Sequence, residues 1–305
     1  MKFEKDFTIG ITDIGINNNA TNIAVLKYLE DIGCMHSDVV GLGVNDIENT
    51  KKSWLLMDWH LKIIKRPKYA DKILIKTWAR PCKKNPFCTY RDYEVYLNTE
   101  KIAIATSKWV LFDWAKKRIT KITDEINIEY KAEEESVFEN QEIEKLKEPS
   151  ECQYTKLYKV KRFDIDINKH MHNLNYLKLA YEVLPEDVFF SEELQNVRIM
   201  YKHQILLDDE VKCCYTKEED KHIIIIKSKD NSVLHSIIEL YWRQGEIKVR
   251  QKNDDKITDI LKKIAPGTPI RDGLENILKA RTGALLLFTD NSEIIEKLVD
   301  RRLCN

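Results

Sequence analysis

Apolar positions along the chain switch between two spacings. In 11–33, ITDIGINNNATNIAVLKYLEDIG, a turn rich in asparagine gives way to Ile23, Leu26 and Leu29 at intervals that predict a helix. Four runs rich in Val, Ile, Tyr, Trp and Thr follow at 53–67, 71–81, 89–98 and 101–113, and their spacing predicts strands. The same order then returns. FDIDINKHMHNLNYLKLAYEVLP (163–185) predicts a turn and a helix, and 196–207, 210–219, 221–230 and 232–243 predict strands.

Sliding the chain against itself tests this repetition. Asp13 to Lys27 (DIGINNNATNIAVLK) aligns without a gap on Asp164 to Lys178 (DIDINKHMHNLNYLK), and Asp, Ile, Ile, Asn, Asn, Leu and Lys coincide, seven matches in fifteen. The chain therefore reads as an internal duplication. A helix followed by four or five long antiparallel strands is an α+β unit, in which the sheet wraps the helix.

Between the copies, KAEEESVFENQEIEKLKEPSE (131–151) is strongly charged and ends in Pro149 and Ser150, as a linker or a solvated surface helix would. These breaks divide the chain into 1–130, a linker at 131–153, 154–250 and a tail at 251–305. The tail resembles neither copy: helical periodicity, a Pro-Gly-Thr-Pro break, one apolar strand (283–288) and a closing helix predict a short α/β appendage.

Composition narrows the function classes. With 43% hydrophobic and 33% charged residues the chain reads as globular, and no apolar run approaches the roughly 20 residues of a membrane helix. Fifty basic and fifty acidic residues leave no charge excess that would favour nucleic acid. The first dozen residues lack the basic start and apolar stretch of a secretory signal, so a cytoplasmic location is expected. Seven cysteines, an odd number with no C-x-x-C pair, argue for reduced thiols and against a disulfide framework or a zinc site.

The chemistry concentrates in DIDINKHMHN (164–173). If that stretch is extended, Asp166, Asn168 and His170 project to one side just before a helix N-terminus. A carboxylate, an amide and an imidazole together suit addition of water to an activated carbonyl. The imidazole removes a proton from water near neutral pH, Asp166 orients it, and Asn168, with backbone N–H groups at the helix start, steadies the developing oxyanion. The same residues would also serve as helix caps around a core histidine. The duplication separates the readings: Asn17 and Asn22 stand where Asn168 and Asn173 stand, but Gly15 replaces Asp166 and Asn19 replaces His170. A turn needed only for its shape gives the ionisable pair no reason to occur in one copy alone.

Residues 1–250 resemble the acyl-acyl carrier protein thioesterases of plants and bacteria. The likeness runs through NTKKSWLLMDWHLKIIKRPKYADKILIKTWAR (49–80), SKWVLFDWAKKRITKITDE (107–125) and DIDINKHMHNLNYLKLAYEVLP (164–185), the last resembling the family signature D-x-N-x-H-x-x-N-x-x-Y. That resemblance implies a tandem (double) hot-dog fold, with Asp166, Asn168 and His170 as catalytic residues and Asn173 in support. The implied reaction hydrolyses an acyl thioester to a free fatty acid and carrier protein, without a cofactor or metal. Acyl carrier protein is the implied partner, with no nucleic acid or membrane span; a homodimer stays open.

Two positions depart from the pattern. Where many members carry Glu, or Glu-Cys, on the strand after the second helix, this chain has Gln204 and Ile205. Gln204 can hold a water but cannot act as a base, so attack by water without a cysteine nucleophile is expected. His172 replaces an asparagine and reads as a structural or rim residue. The family builds its acyl pocket mainly from the first domain, so Trp54, Trp78 and Trp109 are candidate pocket residues within an aromatic group that mostly forms core. KIIKRPK (62–68) is either a surface for an acidic carrier protein or a solvated strand end.

The tail has its own likeness. ILKKIAPGTPIRDGLENILKARTGALLLFTDNSEIIEKLVD (260–300) resembles the start of the DNA-integrity-scanning diadenylate cyclase, without that family's ATP-binding motifs, so a truncated, inactive appendage is expected. Two alternatives to a thioesterase stay open: a non-catalytic acyl-binding hot-dog protein, favoured by Gln204, and a remnant of a cyclic-di-AMP signalling protein.

Overall fold

The computed structural model describes residues 2–191 and 194–241. The predicted appendage at 251–305 and its cyclase resemblance lie outside the described residues, as does the end of the last predicted strand.

The first copy comprises β1 (Phe3–Thr8), α1 (Asn22–Val39), α2 (Ile47–Thr50), β2 (Lys52–Ile63), β3 (Lys72–Pro81), β4 (Thr89–Leu97), β5 (Glu100–Asp113), β6 (Arg118–Thr120) and α3 (Asp124–Glu129). The second comprises β7 (Tyr154–Lys159), α4 (Asn173–Glu182), α5 (Glu186–Ser191), β8 (Asn196–Tyr201), β9 (Glu210–Glu218), β10 (Lys221–Ser228) and β11 (Leu234–Tyr241). One sheet joins them in the order β1-β3-β4-β5-β2-β8-β11-β10-β9-β7, with β6 on β5. From either edge inward, each half runs through the first, third, fourth, fifth and second main strand of its copy.

The halves meet where β2 pairs antiparallel with β8, Trp59 opposite Ile199 and Leu61 opposite Val197. Pairing these inner strands removes two edges that would otherwise expose unbonded backbone. The two central helices share one core on the concave side: Leu26, Leu29 and Ile32 of α1 pack with Leu177 and Ala180 of α4 against Trp59, Leu61 and Ile199. Gly33 lets α1 come close to β4, because a Cβ there would stand 3.1 Å from the Tyr93 hydroxyl and 3.3 Å from Arg91 Cδ.

The duplication holds at the level of single backbone angles. Aligned Asn18 and Lys169 both take left-handed conformations, with φ of 55° and 65°. Isolated bridges Ile14 to Ala20 and Ile165 to Met171 are counterparts, as are Asn19 to Lys68 and His170 to Leu206. In both copies a short 3-10 turn precedes the helix, at Ile11–Asp13 and Arg162–Asp164. Its last residue binds a backbone N–H and a tyrosine: Asp13 accepts from Gly10 N–H and the Tyr28 hydroxyl, Asp164 from Lys161 N–H and the Tyr158 hydroxyl.

Three features differ from the sequence reading. The edge strands β1 and β7 carry mostly exposed, charged residues and so lack an apolar alternation to announce them. The charged stretch after α3 is neither helix nor free linker but a strap laid along the sheet. Trp78 Nε1 donates to the Glu135 carbonyl and Arg80 Nη1 to that of Gln141, each at 2.8 Å; Phe138 stacks on His60; and Leu146 covers Met200, Ile223 and Ile237. That cover explains the unbroken IIII of β10: Ile224 and Ile226 enter the shared core while Ile223 lies under the strap. The third difference is a disulfide between Cys152 and Cys214, against the expectation of reduced thiols throughout. Strand pairing of β7 with β9 brings the two together, 62 residues apart in sequence, although no local spacing signals it.

Candidate active site

Between the 3-10 turn and α4 the chain makes one tight reversal. Asp166 N–H donates to the His170 carbonyl at 2.8 Å and Lys169 N–H to the Asp166 carbonyl at 3.0 Å, with Lys169 left-handed at the corner. The stretch is therefore not extended, and Asp166, Asn168 and His170 do not meet by alternation. They meet because the loop folds on the Asp166 carboxylate, which accepts from Asn168 N–H at 2.8 Å, His170 N–H at 3.3 Å and the Asn168 side-chain amide at 3.4 Å. Asp166 thus acts on His170 through the backbone that presents it, and not, as expected, by contact with the imidazole.

The neighbouring chain fixes the other side of the loop. Met171 N–H donates to the Ile205 carbonyl at 2.8 Å, and His170 bridges to Leu206. His172 is the N-cap of α4: its Nδ1 accepts from Leu174 N–H at 3.2 Å and its carbonyl from Asn175 N–H at 2.8 Å. Its structural role is therefore as expected. The cap also uses two of the N–H groups that were candidates for steadying an oxyanion.

All three loop residues open onto a cavity of about 820 Å³ that reaches into the first copy. Gln204, exposed and just past the end of β8 instead of within a strand, lines it too. Ser37, Leu56, Met57 and Phe112 of the first copy line it as well. Trp54 and Trp109 line the cavity, joined by Trp114, which the sequence reading did not single out. Trp78 does not: its ring is fully buried away from the lining, with Lys2 above it at 3.9 Å. A hydrogen-bonded chain stiffens the wall, Trp54 Nε1 donating to the Tyr130 hydroxyl at 3.0 Å and that hydroxyl to Ser37 at 2.8 Å.

Lys27, Glu30, Asp31, Arg91, Asp166 and Lys202 bring charge to the cavity wall. Arg91 binds His36 Nδ1 at 2.8 Å, and burial together with that guanidinium pushes the His36 imidazole down to about 3, so it accepts as a neutral ring. Burial pushes the Cys34 thiol up to about 11, and nearby Glu30 adds to this. Glu30, on α1, comes 3.8 Å from His172 Nε2 and neighbours Asn173; burial raises its carboxyl above the usual range. Reasoning on the sequence passed over Glu30, yet a signal existed: extending the gapless alignment sets Glu30 against Tyr181. Among the described residues, no group of three His, Cys, Asp or Glu side chains is placed to hold a metal.

The equivalent place in the first copy is filled with protein. Asn22 Nδ2 donates to the Tyr181 hydroxyl and to the Leu194 carbonyl, both at 2.7 Å. Arg66 spans the gap, bonding the Ala20 carbonyl at 2.8 Å, the Leu194 carbonyl at 2.9 Å and Asn22 Oδ1 at 3.0 Å. Arg66 of the basic run is thus half-buried and bonded within the fold, and Lys65 pairs with Glu100.

Residues 1–130 match the family model described as the acyl-ACP thioesterase N-terminal domain, and residues 147–244 that of its C-terminal domain. The chloroplastic oleoyl-acyl carrier protein thioesterase of Coriandrum sativum is 26% identical over 246 residues, covering 74% of this chain and 66% of its own length. Oleoyl-acyl carrier protein thioesterase 2 of Arabidopsis thaliana is 27% identical over 241 residues, covering 73% and 65%. The chain thus spans a little under two thirds of the length of these relatives. Among solved structures, an acyl-ACP thioesterase from Bacteroides thetaiotaomicron superposes with a TM-score of 0.71 at 17% identity, over 79% of this chain and 98% of that one. The 12:0-ACP thioesterase from Umbellularia californica gives 0.70 at 19% identity, over 79% and 97%. These likenesses show the fold, two hot-dog units in one chain.

Proposed function

Since the chain belongs to the acyl-ACP thioesterase family, we propose that it hydrolyses fatty acyl-acyl carrier protein to a free fatty acid and carrier protein. The observation that carries this reading is that Asp166, Asn168 and His170 open onto a cavity also lined by Trp54, Leu56, Met57, Trp109 and Phe112. Polar groups for the thioester and an apolar surface for the chain in one cavity suit that substrate class.

In this reading His170 takes a proton from water while the water oxygen bonds to the thioester carbonyl carbon. The Asn168 amide donates to the oxyanion. When the C–S bond breaks, His170 returns the proton to the departing sulfur, leaving a carboxylic acid and a carrier thiol. Gln204 at the cavity mouth can hold the water but not deprotonate it. Cys34, the cavity's thiol, is kept protonated by burial and by Glu30, which disfavours it as a nucleophile. The first copy, 1–130, then serves as pocket and scaffold, 131–153 as strap, and the unit from 154 carries the chemistry. A second copy of the chain is not needed to complete the sheet, because β2 and β8 already join as two subunits would.

The second reading, an acyl-binding protein without activity, draws on Gln204. Incubating the purified chain with acyl carrier proteins of several chain lengths and measuring released fatty acid separates them. Release is expected; tight acyl-carrier binding without release would establish the second reading.

A further inference from the structure

Glu30 belongs to α1 of the first copy but faces the loop of the second. Its carboxylate lies 3.8 Å from His172 Nε2, next to Asn173, and feels the charge of Asp166. Its side chain is only 15% exposed, and what exposure it has is to the cavity that Asn168 and His170 also line.

The duplication supplies an internal control. Asn173 aligns with Asn22, and Glu30 with Tyr181. In the sealed half Asn22 donates to the Tyr181 hydroxyl at 2.7 Å; in the open half Glu30 faces His172, at 3.8 Å, and the neighbouring Asn173. The two helices therefore face each other through these positions in both halves, and a neutral phenol suffices in the sealed one. A carboxylate is the costlier choice, since a buried charge loses hydration that packing alone does not return. It occurs on the side that carries His170. Of the other carboxylates lining the cavity, Asp166 is taken up by the N–H groups of Asn168 and His170, and Asp31 lies one position along α1 from Glu30; Gln204 has none to offer.

We propose that Glu30 is a catalytic residue of this site, accepting a hydrogen bond from the attacking water and turning the oxygen lone pair toward the thioester carbonyl. The inference rests on the thioesterase reading above. One O–H of the water points to Glu30 and the other to His170; His170 takes the proton as the O–C bond forms, and Glu30 balances the positive imidazolium until the proton passes to sulfur. The site's carboxylate thus comes from the copy that has lost its own chemistry. Groups that set its charge come from every side: Asp31 and Cys34 on α1, Asp166 and His172 on the loop, Tyr93 on β4 and Tyr201 on β8. Burial, Asp31 and Asp166 favour its protonated form, while His172 and Asn173 oppose them.

The test is Glu30→Gln, assayed on acyl carrier protein substrates across pH. Glutamine keeps nearly the same volume and an oxygen that can accept from Asn173, so the contact between helices survives. The expected result is a kcat at least tenfold lower, a KM within twofold of the parent, an unchanged melting temperature, and an acid limb that loses one of its two ionisations. A kcat within twofold of the parent overturns the assignment, and so does a larger loss with the acid limb unaltered, which marks a packing role. Absence of hydrolysis by the parent would instead sink the thioesterase reading itself, and this inference with it.

Discussion

The Asn22 side-chain amide donates to the Tyr181 hydroxyl at 2.7 Å, and that single bond sits where Asn173 and Glu30 meet in the other copy. One folded pattern thus presents two ends. One is sealed by Tyr181 and Arg66, and the other opens to a cavity and displays a histidine. The seal and the opening each have measurable consequences.

At the open end, His170→Ala is expected to lower kcat by about 10²- to 10⁴-fold, the usual contribution of a positioned acid–base group. Asn168→Ala is expected to cost about 10²- to 10³-fold, as removal of an oxyanion donor does. Activity of His170→Ala at the parent rate would exclude it as the base.

Gln204→Ala is expected to lower kcat by less than about tenfold, because an exposed neutral amide at the cavity mouth orients water without exchanging protons. A loss as deep as that of His170→Ala, read in the same assay, would give Gln204 a larger part.

Arg66 bonds two main-chain carbonyls and Asn22 Oδ1 inside the sealed end. Arg66→Ala leaves these acceptors unpaired and is expected to destabilise the fold by about 2–4 kcal/mol, on the scale of lost hydrogen bonds to a charged group. Urea denaturation would show it as a lower midpoint with an unchanged slope; an unchanged midpoint would mean that the seal carries no stability.

The disulfide from Cys152 to Cys214 ties the start of the second copy to β9 across 62 residues. On a chain-entropy basis, closing a loop of that size is worth about 4 kcal/mol. Cys152→Ser is expected to lower the melting temperature under oxidising conditions. Under reducing conditions parent and variant should melt together, and a gap that persists there would refute the bond as its cause.

Burial pushes His36 and His60 down to about 3 and His222 to about 4, aided by Arg91, Arg198 and Lys217 in turn. Above about pH 6.5 these rings are neutral both folded and unfolded and contribute nothing to the pH dependence. As pH falls below that, the unfolded chain takes up protons that the folded chain refuses, so stability drops progressively toward pH 3–4. His60 stacks face to face on Phe138 at 4.0 Å, so His60→Phe keeps the stack and removes one of the three groups. The variant is expected to gain on the parent steadily from pH 6.5 downward in chemical denaturation; a constant difference would contradict a neutral buried His60.

Much of the fold was legible because the decisive signals are local. The helices at Asn22–Val39 and Asn173–Glu182 and the long inner strands follow from apolar spacing, and the duplication follows from identities that persist down to the left-handed corners at Asn18 and Lys169. The edge strands β1 and β7 were not legible, because strands that bury little carry little apolar signal. At the candidate site the geometry was not legible: a loop closed by hydrogen bonds to the Asp166 carboxylate replaces the extended segment that alternation assumed.

By itself, then, the order of residues determined two α+β copies, the family signature, and the one copy that holds Asp166 and His170. Only the tertiary structure decided that Trp78 packs away from the cavity while Trp114 lines it, that 131–153 straps the sheet, that Cys152 meets Cys214, and that Glu30 crosses to the other copy's loop. The reason is common to all four. Periodicity reports which face of its own element a residue occupies, whereas each of these depends on which distant element that face meets, as where β2 meets β8 and β7 meets β9.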